Sequence, residues 1–236
     1  QKIKLSKFAH NKKNLGFVPT MGALHSGHMY LIKCAIKESN KSIVSIFINK
    51  PQFNKKEDFK GYPQVLKKDI STLKKLRVDY LFLPSPRQIY PIGINKNIKI
   101  STFAKKLCGK HRPNHFKAVA DVIDRFIKII KPNRIFFGEK DMQQLKVIKH
   151  FVRLNHPLTM VVGCKTIREK NGIACSSRNL LLSFEEKRTA SKVYNLIKLE
   201  KEKIVKNMKS LKNLKNDILK IGIIKIDYLK LLDTNK

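Results

Sequence analysis

The chain has 236 residues, 42% of them hydrophobic, which suits one large domain or a medium one with a small companion and excludes a disordered protein. Its formal charge is +34, yet only nine of its 51 basic residues are arginine and the lysines run along the whole chain with many Asn and Ile. Such a spread reads as the residue bias of an A+T-rich genome, a solvated surface that draws anionic substrates at low salt rather than a groove for nucleic acid.

No apolar run reaches the length of a bilayer span, and the N-terminal "QKIKLSKFAHNKKNLGF" lacks the apolar region of a secretory signal. Cys34, Cys108, Cys164 and Cys175 are scattered without C-x-x-C spacing, so four free thiols are expected. The expectation is a cytoplasmic protein with neither a membrane nor a nucleic acid as partner.

The first half alternates strands with helices. "LGFVPT", "SIVSIFIN" and "VDYLFLP" are short runs rich in β-branched and aromatic residues. Between them "GHMYLIKCAIKES" and "YPQVLKKDISTLKKL" carry helical spacing, the second with Val65, Leu66, Ile70, Leu73 and Leu76 on one stripe. This alternation predicts a parallel sheet with right-handed crossovers. Pro84 to Asn97 reads as a connector. "HFKAVADVIDRFIKIIK" then places Val119, Val122, Ile123, Phe126, Ile127 and Ile130 on one face of a helix closed by Pro132. A strand "NRIFFG", a helix "DMQQLKVIKHFVRL" and a strand "LTMVVGC" complete the pattern.

After about Lys165 the character changes. "TIREKNGIACSSRN" is polar and turn-rich, with the tight-turn dipeptide Asn171-Gly172. Ser183 and Glu186 are spaced as a capping box at the head of a long helix. Lys206 to Lys236 offers another lysine-rich helix and a strand, "IIKIDYLKLL". The expected organisation is a Rossmann-like α/β domain over 1–165 and a small α+β domain over 166–236.

Four segments could carry chemistry. "PTMGALHSGH" follows the first strand and opens a helix, where a parallel sheet binds ligands. Gly22 and Gly27 relax the backbone, the helix N-terminus offers an anion site, and His25 and His28, which charge readily near neutral pH, could grip a triphosphate. The competing reading makes His25 a loop residue and His28 the opening of the helix. Zinc fits less well, since the i, i+4 spacing of H-E-x-x-H is absent. "FFGEKDMQQL" repeats the strand-to-helix placement: Lys140 is a mobile charge for phosphate and Gln144 an amide for a polar substrate, while D-x-x-Q is equally an N-terminal capping box. In "CSSRN", Ser176, Ser177 and Arg178 are either a phosphate clasp or an exposed polar turn. In "SIFINKPQF", Asn49 and Gln52 either orient a small polar acid or end a strand.

Together and in this order, these segments resemble the pantoate–β-alanine ligase (pantothenate synthetase) family of the HIGH-motif nucleotidyltransferase superfamily over almost the whole chain. "PTMGALHSGH" is similar to the family signature nearly letter for letter, and "EDFKGYP", "FGEKDMQQL" and "SSRN" after "REKNG" follow in order. The resemblance implies a Rossmann-like domain with a C-terminal lid, a homodimer, and ATP with Mg²⁺. It implies adenylation of pantoate, then attack by β-alanine. Carried over by position, Met21, Gly22, Ala23, Leu24, His25, Ser26, Gly27 and His28 line the ATP site, with His28 as general acid. Gly138, Glu139, Lys140, Asp141, Ile167, Cys175, Ser176, Ser177 and Arg178 are further ATP contacts, and His25, Lys140 and Arg178 join His28 in catalysis. Gln52 and Gln144, with Asn49, match the pantoate and β-alanine site. Asp69 is a weak match to a metal ligand.

The chain departs from the family pattern at Lys50, where a proline follows the asparagine, and at Asn114, Lys117 and Ala118 in "RPNHFKAV". Gln64 replaces an arginine, Asn171 an aspartate, and Lys68 one of two adjacent acids. The chain lacks an initiator methionine, and relatives continue a few dozen residues past Tyr228, so an incomplete lid is expected. Two other readings compete: a superfamily member that adenylates a different acid or a phosphopantetheine-like molecule, and a basic, non-catalytic nucleic-acid-binding protein.

Overall fold

The computed structural model describes residues 14–208 and 210–232. Most of the N-terminal stretch read against a secretory signal lies outside them, as does the end of the lysine-rich tail, 233–236. The chain forms two compact units, Gln1–Ile167 and Arg168–Lys236.

In chain order the first unit contains β1 (Leu15–Thr20), α1 (Ser26–Glu38), β2 (Lys41–Ile46), α2 (Lys56–Lys60), α3 (Leu66–Lys75), β3 (Tyr80–Phe82) and α4 (Pro86–Ile89). It continues with α5 (Cys108–His111), α6 (His115–Ile130), β4 (Arg134–Gly138), α7 (Met142–Asn155) and β5 (Met160–Cys164). The strands form one parallel sheet in the order β3-β2-β1-β4-β5. The winding reverses between β1 and β4, so the loops leaving these two strands diverge and open a crevice at their carboxyl ends.

The period-two pattern of the strands explains how the sheet is covered on both faces. Leu15, Phe17, Ile43, Ile135 and Phe137 point into a core shared with α6 and α7. Val18, Val44 and Phe136 point the other way, onto Leu31, Ile32 and Ala35 of α1 and Leu73 of α3. All six apolar positions expected on α6 are buried. Among them Phe126 meets Phe17, Phe47 and Phe82 edge-on at 5.5, 6.0 and 6.0 Å, an arrangement that suits the ring quadrupoles. Truncating it to alanine should cost about 3–5 kcal/mol. The helix ends at Lys131, whose left-handed φ of 52° turns the chain ahead of Pro132.

The stripe expected on the second helix needs correction. Val65 precedes α3, and it and Leu66 are exposed, whereas Leu73 is buried with Asp69 one turn before it. The helix thus turns a face containing a carboxylate inward, and that carboxylate serves the functional site.

The second unit contains α8 (Phe184–Val205) and α9 (Leu211–Lys220). Both hydrogen bonds of the Ser183–Glu186 capping box are made. Gly172 takes a φ of +88°, which lets the chain turn back so that Arg168 and Ala174 bridge antiparallel. Ile204, Leu214 and Ile218 form this unit's core. The strand expected in "IIKIDYLKLL" joins no ladder among the described residues; Ile223, Ile226 and Leu229 instead pack on that helical core. A strand needs a neighbour for its backbone groups, and the unit supplies only helices there. No helix of the described residues is long and apolar enough to cross a membrane.

Candidate active site

The β1–α1 loop is built from beneath. Thr20 Oγ1 donates to the Ser45 carbonyl at 2.7 Å and accepts from the Gly22 N–H at 3.2 Å, tying the end of β1 to β2. Gly22 and Ala23 then take left-handed φ values of 83° and 49°. A Cβ on Gly22 would lie 3.0 Å from Asp69 Oδ2 and 3.1 Å from Ile46 Cγ2, so a side chain there is strained by the backbone and would also press on both neighbours. Ala23 has a Cβ and is held in this unfavourable conformation by its partner. Asp69 Oδ2 accepts from the Ala23 N–H at 2.9 Å and Oδ1 from the Leu24 N–H at 2.8 Å.

Asp69, expected as a weak match to a metal ligand, is bound to the backbone of the loop. The residue is 2% exposed, and each carboxylate oxygen is turned to a backbone amide. Among the described residues no group of three or more His, Cys, Asp or Glu could hold a metal ion. Asp69 is the fixed counter-piece of the loop.

His25 caps α1, its Nδ1 accepting from the Gly27 N–H at 3.1 Å, which leaves Nε2 to carry the ring proton as a donor. The His25 and His28 rings stack with centroids 4.0 Å apart and planes 30° apart. Burial foremost, then His25 and Lys140, push the His28 imidazole down to about 3. The expectation that both histidines charge near neutral pH therefore fails for His28, which stays neutral and offers one N–H and one lone pair. Its Nδ1 is buried without a hydrogen-bond partner. The first turn of α1 holds no acidic residue, so the positive end of its dipole is uncompensated. A buried orphan nitrogen beside a lysine and a helix N-terminus without an acidic residue is a setting that suits an anion.

The β4–α7 loop supplies that lysine. Gly138 ends β4, Glu139–Asp141 make a 3-10 turn, and α7 begins at Met142. Lys140 Nζ lies 3.2 Å from Asp141 Oδ2, with the side chains 36% and 59% exposed. Asp141 makes no side-chain cap bond to α7, so the capping-box alternative is not realised. The two glutamines divide their work. Gln143, which the sequence did not single out, is buried and holds the 103–108 segment: its Oε1 accepts from Cys108 N–H at 3.0 Å, and its Nε2 donates to the Phe103 and Lys106 carbonyls. Gln144 is part-exposed on the first turn of α7.

Beyond β2, Lys50–Gln52 form a 3-10 turn with Pro51 in it. Gln52 Nε2 lies 3.3 Å from Met21 Sδ, joining this turn to the β1–α1 loop. Asn49 is 1% exposed, and both ends of its amide are engaged by protein groups. The Asn49 amide is thus turned to Gln52, the Ala118 carbonyl and Tyr90. The departure at Asn114 is absorbed: it takes a φ of 61° before α6, a conformation asparagine tolerates as glycine does, and the Ala118 carbonyl meets Asn49.

Ile167 closes the first unit. Within the second, Cys175 and Ser177 are buried and Arg178 is exposed. Ser176 Oγ accepts from the Arg178 N–H at 3.3 Å, starting a 3-10 turn. Asn179, also missed by the sequence reading, anchors this turn by donating to Glu169 Oε1 at 2.6 Å and to the Ala174 carbonyl at 3.1 Å.

The structure thus gathers His25, His28 and Lys140 at one edge, with Met21 and Gln52 in contact beside them. A doubly wound sheet with such loops at its switch point defines an α/β nucleotide-binding enzyme.

Comparisons with known proteins specify it further. The family model described as Pantoate-beta-alanine ligase matches residues 1–236. The pantothenate synthetase of Thermosipho africanus is 39% identical over 226 residues, covering 94% of this chain and 81% of that protein. That of Fervidobacterium nodosum is 40% identical over 235 residues, covering 98% and 84%. The crystal structure of pantoate-β-alanine ligase from Francisella tularensis, complexed with β-γ ATP and β-alanine, superposes with a TM-score of 0.86 at 38% identity, covering 97% of this chain and 88% of that one. The chain belongs to the pantoate–β-alanine ligase family.

Proposed function

We propose that the carboxyl edge of β1, β2 and β4 holds ATP and pantoate side by side, and that the residues gathered there carry the family's reaction. That reaction, which is this chain's, condenses pantoate with β-alanine to pantothenate and forms AMP and pyrophosphate from ATP. A pantoate carboxylate oxygen attacks the α-phosphorus, the bond from that phosphorus to the bridging oxygen breaks, and pyrophosphate leaves. The β-alanine amine then attacks the acyl carbon of pantoyl adenylate, loses a proton, and displaces AMP. Adenylation is what makes the carboxylate an acyl donor.

Met21 to His28 wrap the nucleotide, with the N-terminus of α1 and Nε2–H of His25 directed at phosphate oxygens. His28 acts as a neutral donor in a site where charge develops, and such preorganised donors are worth about 10²–10³ in rate. Lys140 neutralises the departing pyrophosphate. Gly138, Glu139, Asp141, Ile167 and Cys175 to Arg178 are further ATP contacts, and Gln52 and Gln144 hold pantoate. Mg²⁺ enters on the phosphates as part of the substrate, since the acid expected to bind it is committed to the loop. The reading also takes the chain as a cytoplasmic homodimer whose second unit serves as the lid.

The observation that carries these roles is the unpartnered, buried Nδ1 of His28 beside the uncompensated start of α1. Trapping tests the intermediate. With ATP, Mg²⁺, pantoate and hydroxylamine in place of β-alanine, the chain should form pantoyl hydroxamate and AMP in equal amounts. Pyrophosphate release with no trapped acyl product would contradict an activated acyl intermediate.

A further inference from the structure

The Gln52 amide is not free to choose its orientation. Asn49 Nδ2 donates to Gln52 Oε1 at 3.0 Å and lies 3.3 Å from the Ala118 carbonyl. A backbone carbonyl only accepts, so it fixes which end of the Asn49 amide is nitrogen. At the other end the Tyr90 hydroxyl donates to Asn49 Oδ1 at 2.6 Å. The chain of donors runs from Tyr90 to Asn49 to Gln52, and it turns the Gln52 carbonyl away from the site, leaving Nε2 beside Met21 Sδ.

Tyr90 is itself clamped. The Arg125 guanidinium lies 4.6 Å from its ring centroid, and Arg125 is held by Asp121 Oδ1 at 2.7 Å and by the Ile89 and Gly93 carbonyls. Burial foremost, then Asp121, raise the Tyr90 phenol above its ordinary value, so the hydroxyl remains a donor at physiological pH. The segment read from the sequence as a plain connector thus delivers a hydroxyl to the floor of the site.

We propose that Tyr90 is a positioning residue for pantoate: through Asn49 it sets the Gln52 amide so that Gln52 presents N–H donors, not its carbonyl, to an oxygen of the substrate. The inference rests on the pantoate-binding role proposed for Gln52. Without the hydroxyl, Asn49 keeps only the longer 3.3 Å contact to the Ala118 carbonyl to set its amide, so its hold on Gln52 loosens and Gln52 more often shows a carbonyl to an anionic acid, a repulsive pairing. With an aspartate at 49 the rotation is forced, because a carboxylate accepts from Tyr90 but has nothing to donate to Gln52.

The test is pantoate-dependent ATP–pyrophosphate exchange in the full chain. Tyr90→Phe keeps the ring and its stacking under Arg125. It should raise the KM for pantoate about tenfold, the worth of one mis-set hydrogen bond, and leave the KM for ATP within about twofold. Asn49→Asp should raise the pantoate KM further, on the order of a hundredfold, since a repulsive contact replaces an attractive one. A merely structural role would move both KM values or kcat alone. Tyr90→Phe with an unchanged pantoate KM, or with equal rises for pantoate and ATP, overturns the relay while leaving the site's function standing. Absence of pantoate-dependent exchange in the unsubstituted chain overturns the functional reading itself, and the relay with it.

Discussion

The two loops that meet at the switch point solve the same problem differently. The β1–α1 loop is fixed at nearly every polar atom below the ligand face: Thr20 ties it to β2, Asp69 holds two successive amides, and His25 caps the helix. In the β4–α7 loop the side chains proposed to meet phosphate, Lys140 and Asp141, are part-exposed and paired with each other, and Asp141 makes no side-chain cap bond to α7. The first has its dipoles set before substrate arrives, so nothing reorganises as charge builds up. The second offers a charge on a flexible stem that can follow phosphate from substrate to product. The contrast suggests that substitutions in the first loop's supports reach both folding and catalysis, whereas those in the second reach catalysis alone.

Lys140→Ala has the largest expected effect. Exchange should slow about 10²-fold, with unfolding by urea unchanged to within about 0.5 kcal/mol, as for an exposed side chain away from special features. Equal losses in stability and rate would mean that this loop, too, is structurally committed.

Asp69→Asn should show the opposite pattern. One of two buried N–H groups then faces an NH₂ instead of an oxygen, at a cost of about 2–3 kcal/mol in stability with a parallel fall in exchange. Unaltered urea unfolding would show that the loop holds its left-handed turn without the carboxylate.

The His28 environment makes the first loop respond to pH. Its folded value of about 3 lies below the ordinary 6.5, so the folded state disfavours protonation. Its contribution to stability is therefore present above about pH 6.5 and lost as pH falls from there toward 3. In NMR titrations His28 should remain neutral at pH 5. Titration of His28 near 6.5 would place the ring in a more open and less repulsive setting than the structure gives it.

The smallest effect is at Asn114, whose left-handed φ suits asparagine. Asn114→Ala should cost about 1 kcal/mol and Asn114→Gly close to nothing. Equal stability of the two variants would show that the turn before α6 relaxes.

What the sequence disclosed follows the reach of local pattern. The short β-branched and aromatic run "LGFVPT" and the six-position stripe of α6 locate the sheet and its cover, because each residue's environment is set by its neighbours in the element. The loop motifs were legible because each follows a strand and opens a helix. Asp69 and Tyr90 were not. Asp69 reaches Ala23 across 46 residues and Tyr90 reaches Asn49 across 41, and nothing in local spacing announces such pairs. The stripe of α3 misled for the same reason: Asp69 looks like a solvent residue until the loop it holds is seen. The strand in "IIKIDYLKLL" failed because β-branched composition specifies an extended chain but not a partner.

Activation of pantoate as an adenylate at the His28 edge is open to one direct test. Exchange of labelled pyrophosphate into ATP, with Mg²⁺ and without β-alanine, measured with and without pantoate in the unsubstituted chain and in His28→Ala, tests it in one assay. The expected result is exchange that requires pantoate and falls by about 10²-fold or more in the variant. Exchange that is indifferent to pantoate, or that survives intact in a folded His28→Ala chain, would contradict the claim.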